Sequence, residues 1–340
     1  MRPTSLTIAY LTHREHPRFE WFCSSLARQF RESRVDRASV QVLVIDGRLW
    51  YDETRAETMR EVGSLYGVQF EHHPPKPSVW QGPHRLTQRN YFAASSTRNT
   101  AFARARGSHV AFVDDLSVLL PGWLQAHLEA ARAGYVLCGT TCKHKNIVVN
   151  DVGGVVTYGE HSTDSRLKHF DGDAPVRCSG GWLYGGTFSV PLEHALRVNG
   201  QDEIADSVGG EDYDFGERLE RAGSAVYISR KCGTFEDEDG HHNQAAMVRL
   251  DKPWPPDPGG TPRLLTPSGW TVQETEANAA DGPYSSNCIQ SRMRREGRTW
   301  TAGNAYNLRE LRDRVLAGEP FPIPTEPTHH WVDGQPLSEM

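Results

Sequence analysis

Ala111-Phe112-Val113-Asp114-Asp115 is the stretch on which the fold turns. The apolar run Val110 to Val113 leads straight into two adjacent carboxylates. Buried parallel strands read this way, as unbroken apolar runs of about 4–8 residues. Ligands in open α/β sheets bind outside the carboxyl ends of the strands. Asp114 and Asp115 therefore stand where a ligand belongs, and a divalent cation with a phosphorylated substrate is one reason to set two acids there. A solvated turn or a helix cap, where Asp is common, accounts for the same pair without a function.

Working outward, Leu6 to Leu11 reads as a first strand with Thr12-His13-Arg14 at its carboxyl end. Phe19, Phe22, Cys23, Leu26 and Phe30 recur mostly at steps of three and four, which predicts a helix with one apolar face. Val40 to Ile45 is a second strand ending in Asp46-Gly47-Arg48. Strand, helix, strand makes a βαβ unit and a parallel sheet. Asp46 is either an acceptor for a base or ribose or a turn Asp before Gly. A helix is expected from about Asp52 to Tyr66, a short strand over Val68 to Phe70, and a proline-rich loop over His72 to Pro83. Ser95 to Arg106 is expected as a helix carrying Arg98 and Asn99, whose guanidinium suits phosphate oxygens or plain solvent.

Beyond Asp115, a helix is expected within Leu119 to Arg132 and a strand over Tyr135 to Gly139. The Val-rich, irregular region from Thr140 to Val176 reads as an inserted hairpin or acceptor-facing loops. Gly180 to Phe188 sets two glycine pairs around aromatics, and glycine permits close backbone approach to a ligand. Pro191 to Val198 predicts a short helix. In Gly209-Gly210-Glu211-Asp212-Tyr213-Asp214 three acids open a helix, where carboxylates are favoured electrostatically. They equally suit a general base presented from a tight turn. After a strand from Ala225 to Ser229, Glu236 to Asn243 reads as a polar loop holding acids with His241 and His242; a neutral imidazole is a common metal ligand. Past Leu250 prolines and glycines dominate, a basic run occupies 291–298, and Asn304 to Leu316 reads as a helix.

The 37 Lys and Arg against 43 Asp and Glu leave a formal net charge of -6 in 340 residues, which gives no global attraction to nucleic acid or anionic membrane. No apolar stretch approaches the roughly 18 residues of a membrane span, and the N-terminus does not read as a signal peptide. A cytoplasmic, soluble protein is expected. Cys138, Cys142 and His144 lack an evident fourth zinc ligand, so the six cysteines read as reduced thiols. The nine Trp, Trp80 and Trp182 among them, suit sugar or base rings as well as core positions.

Two segments carry a resemblance to a known family. STRNTAFARARGSHVAFVDDLSVLLPGWL is similar to the family 2 glycosyltransferase segment with an Arg-Asn pair, a helix, a strand ending in an acidic metal motif, and Pro-Gly-Trp-Leu. GGTFSVPLEHALRVNGQDEIADSVGGEDYDFGERLERAG resembles the galactosyltransferase C-terminal region. Together they identify the chain as similar to GT-A type nucleotide-sugar glycosyltransferases. The resemblance implies an α/β, Rossmann-like, mostly parallel sheet flanked by helices. It implies a catalytic domain over 1–249, with a nucleotide-binding half (1–120) and an acceptor-binding half (121–249), and a C-terminal extension over 250–340. It implies a metal-dependent transferase using Mn²⁺ or Mg²⁺ and a UDP-sugar donor, with inversion, or with retention as in the related GT-A enzymes that transfer GalNAc to polypeptides and share the Gly-Glu-Asp style segment. Thr12, Arg14, Asp46, Arg98, Asp114, Gly185 and Gly186 fall on the donor side, Asp115, His241 and His242 on the metal, and Asp212 with Glu211 on the catalytic base.

The match departs from the family at Leu116, where the motif has a further acid, and at Arg48, where Asp-Gly-Ser is usual. Leu116 favours an inactive sugar- or nucleotide-binding module as the alternative. A sugar-phosphate nucleotidyltransferase is the other, but Thr12 to Trp21 lacks the Gly-rich basic loop such enzymes carry. The acceptor stays open among a glycan, a small molecule, a protein and a modified base in DNA.

Overall fold

The computed structural model describes residues 5–78, 81–84, 92–203, 206, 210–243, 301–302, 304 and 306–323. Its strands in chain order are β1 (Leu6–Thr12), β2 (Val40–Asp46), β3 (Glu71–His73), β4 (His109–Asp114), β5 (Ser117–Leu119), β6 (Val136–Cys138), β7 (Thr141–His144), β8 (Val148–Val149), β9 (Val155–Thr157), β10 (His161–Ser162), β11 (Val176–Arg177), β12 (Thr187–Pro191), β13 (Val226–Ile228) and β14 (Thr234–Asp237). The helices are α1 (Phe19–Ser33), α2 (Arg55–Tyr66), α3 (Ala94–Arg104), α4 (Trp123–Ala133), α5 (Leu192–Arg197), α6 (Glu211–Arg221), α7 (Glu238–Asn243) and α8 (Leu308–Leu316). Trp80 and all of 244–300, the 291–298 run included, lie outside the described residues.

The chain forms two compact units. The first comprises Met1–Pro74, Ala105–His194 and Ser224–Ala245. It holds the central sheet, ordered β11-β13-β6-β12-β4-β1-β2-β3. β3, β2, β1 and β4 run parallel, as do β6 and β13; β12 lies antiparallel to both β4 and β6, and β11 antiparallel to β13. This is the mostly parallel, helix-flanked architecture expected from the sequence. β1 and β2 are buried at every position, as unbroken apolar runs predict. Leu6, Ile8 and Tyr10 share a face with Val40, Val42 and Val44, and that face packs in one core with Phe19, Phe22, Leu26 and Phe30 of α1 and Trp123 of α4. Each such side chain contributes about 1.5–3 kcal/mol by leaving water. The Tyr10 ring lies 4.8 Å from Phe22, while its hydroxyl donates to the Asp115 carbonyl at 2.8 Å. The core thus reaches the backbone at the strand ends.

Three elements depart from the sequence reading. The expected strand over Val68 to Phe70 forms three residues later, at β3, where Glu71–His73 pair with Leu43–Ile45. The expected polar loop at Glu236–Asn243 is the strand β14 followed by α7, and Glu236 and Asp237 are buried at 3% and 2% exposure. β14 belongs to a second sheet, β10-β7-β14-β5, that no local pattern announces. Within the region read as an inserted hairpin or acceptor-facing loops, β8 and β9 pair antiparallel.

The second unit comprises Pro75–Arg104, Ala195–Gly223 and Ala246–Met340. Within it α8, from the stretch expected as a C-terminal extension, packs against α3 and buries Leu308 and Leu311. Phe102 of α3 and Phe215 of α6 meet at 5.8 Å. Arg218 and Asp214 of α6 form a pair with both side chains at 0% exposure, Nε donating to Oδ2 at 2.9 Å. The Arg218 Nη1 also donates to the Val198 and Gly200 carbonyls at 2.8 Å each. Removing one partner of a buried pair strands a charge and costs about 3–5 kcal/mol. Arg218→Leu is therefore expected to lower the urea midpoint steeply, and adding Asp214→Leu is expected to restore part of the loss. Equal instability of the single and double variants would show that the two carbonyls, not the carboxylate, need the guanidinium.

Candidate active site

In the first unit the residues expected on the donor side collect at the carboxyl ends of neighbouring strands. Thr12 of β1 is in register with Asp46 of β2, and Leu11 with Asp114 of β4. The Asp114 amide donates to the Gly186 carbonyl at 3.2 Å, which brings the Gly185–Gly186 pair to the same end. A Cβ on Gly186 would stand 2.6 Å from the Thr141 hydroxyl oxygen, so the close approach there requires glycine. Gly185, Gly186, Thr12, Arg14, Asp46 and Asp115 are all buried.

Asp46 is at 0% exposure and already well supplied with partners. Its Oδ1 accepts from the Arg48 amide at 2.9 Å, and its Oδ2 from Arg55 Nε at 2.7 Å, with His72 Nε2 at 3.2 Å. Burial pushes its carboxyl up, but the bonds from His72 and Arg55 outweigh burial and hold it below the usual range. Arg55 spans further, donating to the Glu15 and Arg14 carbonyls at 2.9 and 3.0 Å. Arg55 and His72 were not singled out in the sequence; the one local signal was a cation on the first turn of the helix after Asp-Gly.

Asp115 is 7% exposed, and both its oxygens are engaged. Oδ2 accepts from the Thr12 hydroxyl and Oδ1 from Arg14 Nε, each at 2.9 Å. Burial raises its pKa against the pull of Arg14 and Thr12. Asp237 is likewise bound, by Arg18 through Nε and Nη2 at 2.7 Å each. Arg18 is itself stacked over Trp21 at 4.8 Å. His241 and His242 sit on α7, and their side chains lie outside the described residues. Among the described residues no group of three or more His, Cys, Asp or Glu gathers closely enough to hold a metal ion. The described donors do not fit a divalent cation: the acid expected to ligate it is engaged by a guanidinium and a hydroxyl.

The glycine-flanked aromatics are held by Arg166. Its guanidinium donates to the Gly139 carbonyl at 2.9 Å and the Trp182 carbonyl at 2.5 Å, pairs with Asp164, and lies 5.5 Å from the Tyr184 ring centroid. Tyr184 is 42% exposed, which leaves its ring accessible. His144, close in sequence to Cys138 and Cys142, stacks between Tyr158 and Phe235 at 4.2 and 4.1 Å. Those cysteines are free thiols.

In the second unit Glu211 and Asp212 open α6 behind Gly210, whose φ of 86° is a left-handed conformation that glycine adopts without strain. Arg98 Nη1 pairs with Glu211 Oε1 at 3.0 Å, joining a residue expected on the donor side to one expected at the base. Burial raises the Glu211 pKa, opposed by Arg98 and reinforced by Asp212. Asp212 Oδ1 accepts from the Tyr213 amide at 2.7 Å, at the end of the helix where a carboxylate is favoured. The sequence singled out Arg98 and Glu211 but not their pairing.

No family model and no curated protein sequence matches the chain. Among solved structures it is similar to S. aureus TarS 1-349, at 15% identity and a TM-score of 0.47, over 68% of this chain and 60% of that one. It is similar to the same protein in complex with UDP-GlcNAc at 14% identity and 0.45, over 69% and 58%. A third match is GalNAc-T7 with UDP, GalNAc and Mn²⁺, at 11% identity and 0.45, over 69% and 44%. The chain spans about 60% or less of the length of these structures. No described helix is long and apolar enough to cross a membrane.

Proposed function

We propose that this chain transfers a sugar from a nucleotide-sugar donor, a UDP-sugar, to an acceptor hydroxyl with inversion. The observation that supports this most is the gathering of Thr12, Asp46, Asp114, Asp115 and Gly186 at the carboxyl ends of adjacent strands. Such strand ends are where open α/β sheets bind nucleotides. Under this reading Thr12, Arg14, Asp114, Gly185 and Gly186 line the donor side, and Asp46 acts by fixing Arg55 and His72. Arg98 holds Glu211. Asp212 takes the proton of the acceptor hydroxyl; the oxygen then forms the new bond to the anomeric carbon as the bond to the diphosphate breaks. A positioned base of this kind contributes about 10²–10⁴-fold. Because Asp115 is engaged by Arg14 and Thr12, no step is routed through a metal.

The pairing of Arg14 with Asp115 favours one second reading, a binding module of the same fold without turnover. A screen of UDP-, GDP- and TDP-sugars separates the two, read both as binding and as release of nucleoside diphosphate. Arms with Mn²⁺, with Mg²⁺ and with EDTA report any cation requirement directly. One UDP-sugar is expected to bind and to be turned over slowly to UDP. Binding without release selects the module, and no binding under any metal condition overturns the glycosyltransferase reading.

A further inference from the structure

Resemblance to a known family ends near residue 245, yet the second unit is tied together by side chains from far beyond that point. Asn304, 3% exposed, is bonded on both sides of its amide. Its Nδ2 donates to the Asn199 and Gln201 carbonyls at 2.8 and 3.0 Å, and its Oδ1 accepts from the Glu203 amide at 3.0 Å. One side chain thereby satisfies three backbone groups of a single turn. A buried backbone group left without a partner costs about 1–3 kcal/mol, so this turn depends on Asn304 for its shape.

Tyr306 braces the same turn. Its hydroxyl donates to the Glu203 carboxylate and accepts from Asn99 Nδ2 at 3.0 Å. Lys76 Nζ donates to the other Glu203 oxygen at 2.8 Å and lies 4.6 Å from the Tyr306 ring centroid. Asn99, at 0% exposure, accepts from the Gln201 amide at 2.9 Å and donates to its carbonyl at 2.8 Å. At Gly200 the φ is 72°, and an added Cβ would stand 2.3 Å from the Asn99 amide oxygen, so the fit tolerates no side chain there.

The turn then reaches the candidate base. The Gln201 side-chain oxygen accepts from Arg98 Nη1 at 3.2 Å, and the same nitrogen bonds Glu211 at 3.0 Å. Glu211 is the neighbour of Asp212 on the first turn of α6. We propose that Asn304 and Tyr306 are positioning residues for the Glu211–Asp212 pair, acting through Gln201 and Arg98. This inference rests on the glycosyltransferase reading of Asp212 for its catalytic consequence, but not for the mechanical relay itself. A segment outside the recognisable motifs is then part of the catalytic machinery, and truncation before it removes activity.

The test uses the full chain with Asn304→Ala and the milder Tyr306→Phe, which deletes one hydroxyl and keeps the ring. Amide hydrogen exchange is measured first. Exchange over 199–203 and 210–214 is expected to speed up by about tenfold, the loss of one net hydrogen bond, with β1 and β4 unchanged. Activity is read as kcat for sugar transfer to acceptor, followed by the UDP released, beside the affinity for UDP alone. A kcat loss of about 100-fold for Asn304→Ala and about tenfold for Tyr306→Phe is expected, since small misplacements of reacting groups have effects of that size. UDP affinity is expected to stay within about twofold, a split that general loosening of the fold would not produce. Unchanged exchange overturns the relay. Faster exchange with unchanged kcat, or with kcat and UDP affinity falling together, overturns the positioning role. If the wild type releases UDP from no nucleotide sugar, the glycosyltransferase reading falls, and exchange alone upholds or overturns the relay.

Discussion

Asp212→Asn is expected to reduce sugar transfer by about 10²–10⁴-fold while UDP binding stays unchanged. The exchange swaps one carboxylate oxygen for an amide nitrogen of the same size. The remaining amide oxygen still accepts from the Tyr213 backbone, as Asp212 Oδ1 does at 2.7 Å, so the first turn of α6 keeps its geometry. What disappears is the ability to take a proton. Glu211→Gln provides the contrast. It keeps an acceptor for Arg98 Nη1 at 3.0 Å but removes the charge that balances that guanidinium. Its loss is expected in both stability and kcat, whereas Asp212→Asn leaves the melting temperature in place. Equal transfer by wild type and Asp212→Asn would remove Asp212 from the chemistry.

Acidification is expected to destabilise the protein steeply between about pH 6.5 and pH 4, because three histidines of the first unit are buried neutral. His13, His109 and His127 are at 2%, 1% and 0% exposure. Burial lowers the His13 imidazole to about 4, aided by Arg48 and Arg55 against Asp46. Burial lowers His109 to about 3, with His194 adding to it, and drives His127 far down as well. His109 Nε2 and His127 Nδ1 share the Ser189 hydroxyl at 3.0 and 2.8 Å, with no carboxylate among these bonds to favour the charged form. Unfolded, each imidazole titrates near 6.5, so below that pH the unfolded chain binds more protons and stability falls as pH falls towards the folded values. At one proton per group the slope is about 1.4 kcal/mol per pH unit, or about 4 for three, and His13 alone amounts to about 3 kcal/mol.

Carboxylates act in both directions, the lowered ones only below about pH 4.5, their ordinary unfolded values. Asp46 and Glu71 have lowered folded values and lose stability in acid, whereas Asp115, Asp206 and Glu211 have raised values and gain it. Two units of the histidine slope amount to about 8 kcal/mol, comparable with a total stability of about 5–15 kcal/mol. Urea titrations at half-unit steps from pH 7.5 to pH 4.5, steps chosen to be about 0.7 kcal/mol apart per proton, measure the net uptake. His127→Gln keeps a polar partner for Ser189 without an ionisable ring and is expected to remove about one proton from the slope. A stability flat from pH 7 to pH 5, or a slope that His127→Gln leaves untouched, would be incompatible with these imidazoles being neutral in the fold.

Local pattern carried the sheet and its principal helices. The unbroken runs at β1, β2 and β4 mark strands buried on both faces, and the three-and-four spacing from Phe19 to Phe30 marks α1. Gly210 followed by acids marks the start of α6. These signals are legible because periodicity and helix-end chemistry involve residues within a few positions of one another. β3 and β14 were misjudged for the converse reason. Glu71–His73 become a strand only because Leu43–Ile45 offer them an edge, and Glu236–Asp237 only because a second sheet buries them.

Local pattern alone thus carries the mostly parallel sheet and sets Thr12, Asp46, Asp114 and Asp115 at strand ends. What those groups bond to is set by folding. Arg14 with Asp115, Arg18 with Asp237, Arg98 with Glu211 and Asn304 with Gln201 each join residues about a hundred or more positions apart. A charge in a sequence carries no record of its partner, because electrostatic pairing depends on distance in space and on the burial that makes an unpaired charge costly. Asp115 read as a metal ligand in the sequence and stands as half of an ion pair in the fold, since only folding brings a guanidinium within 2.9 Å of it and excludes water from both.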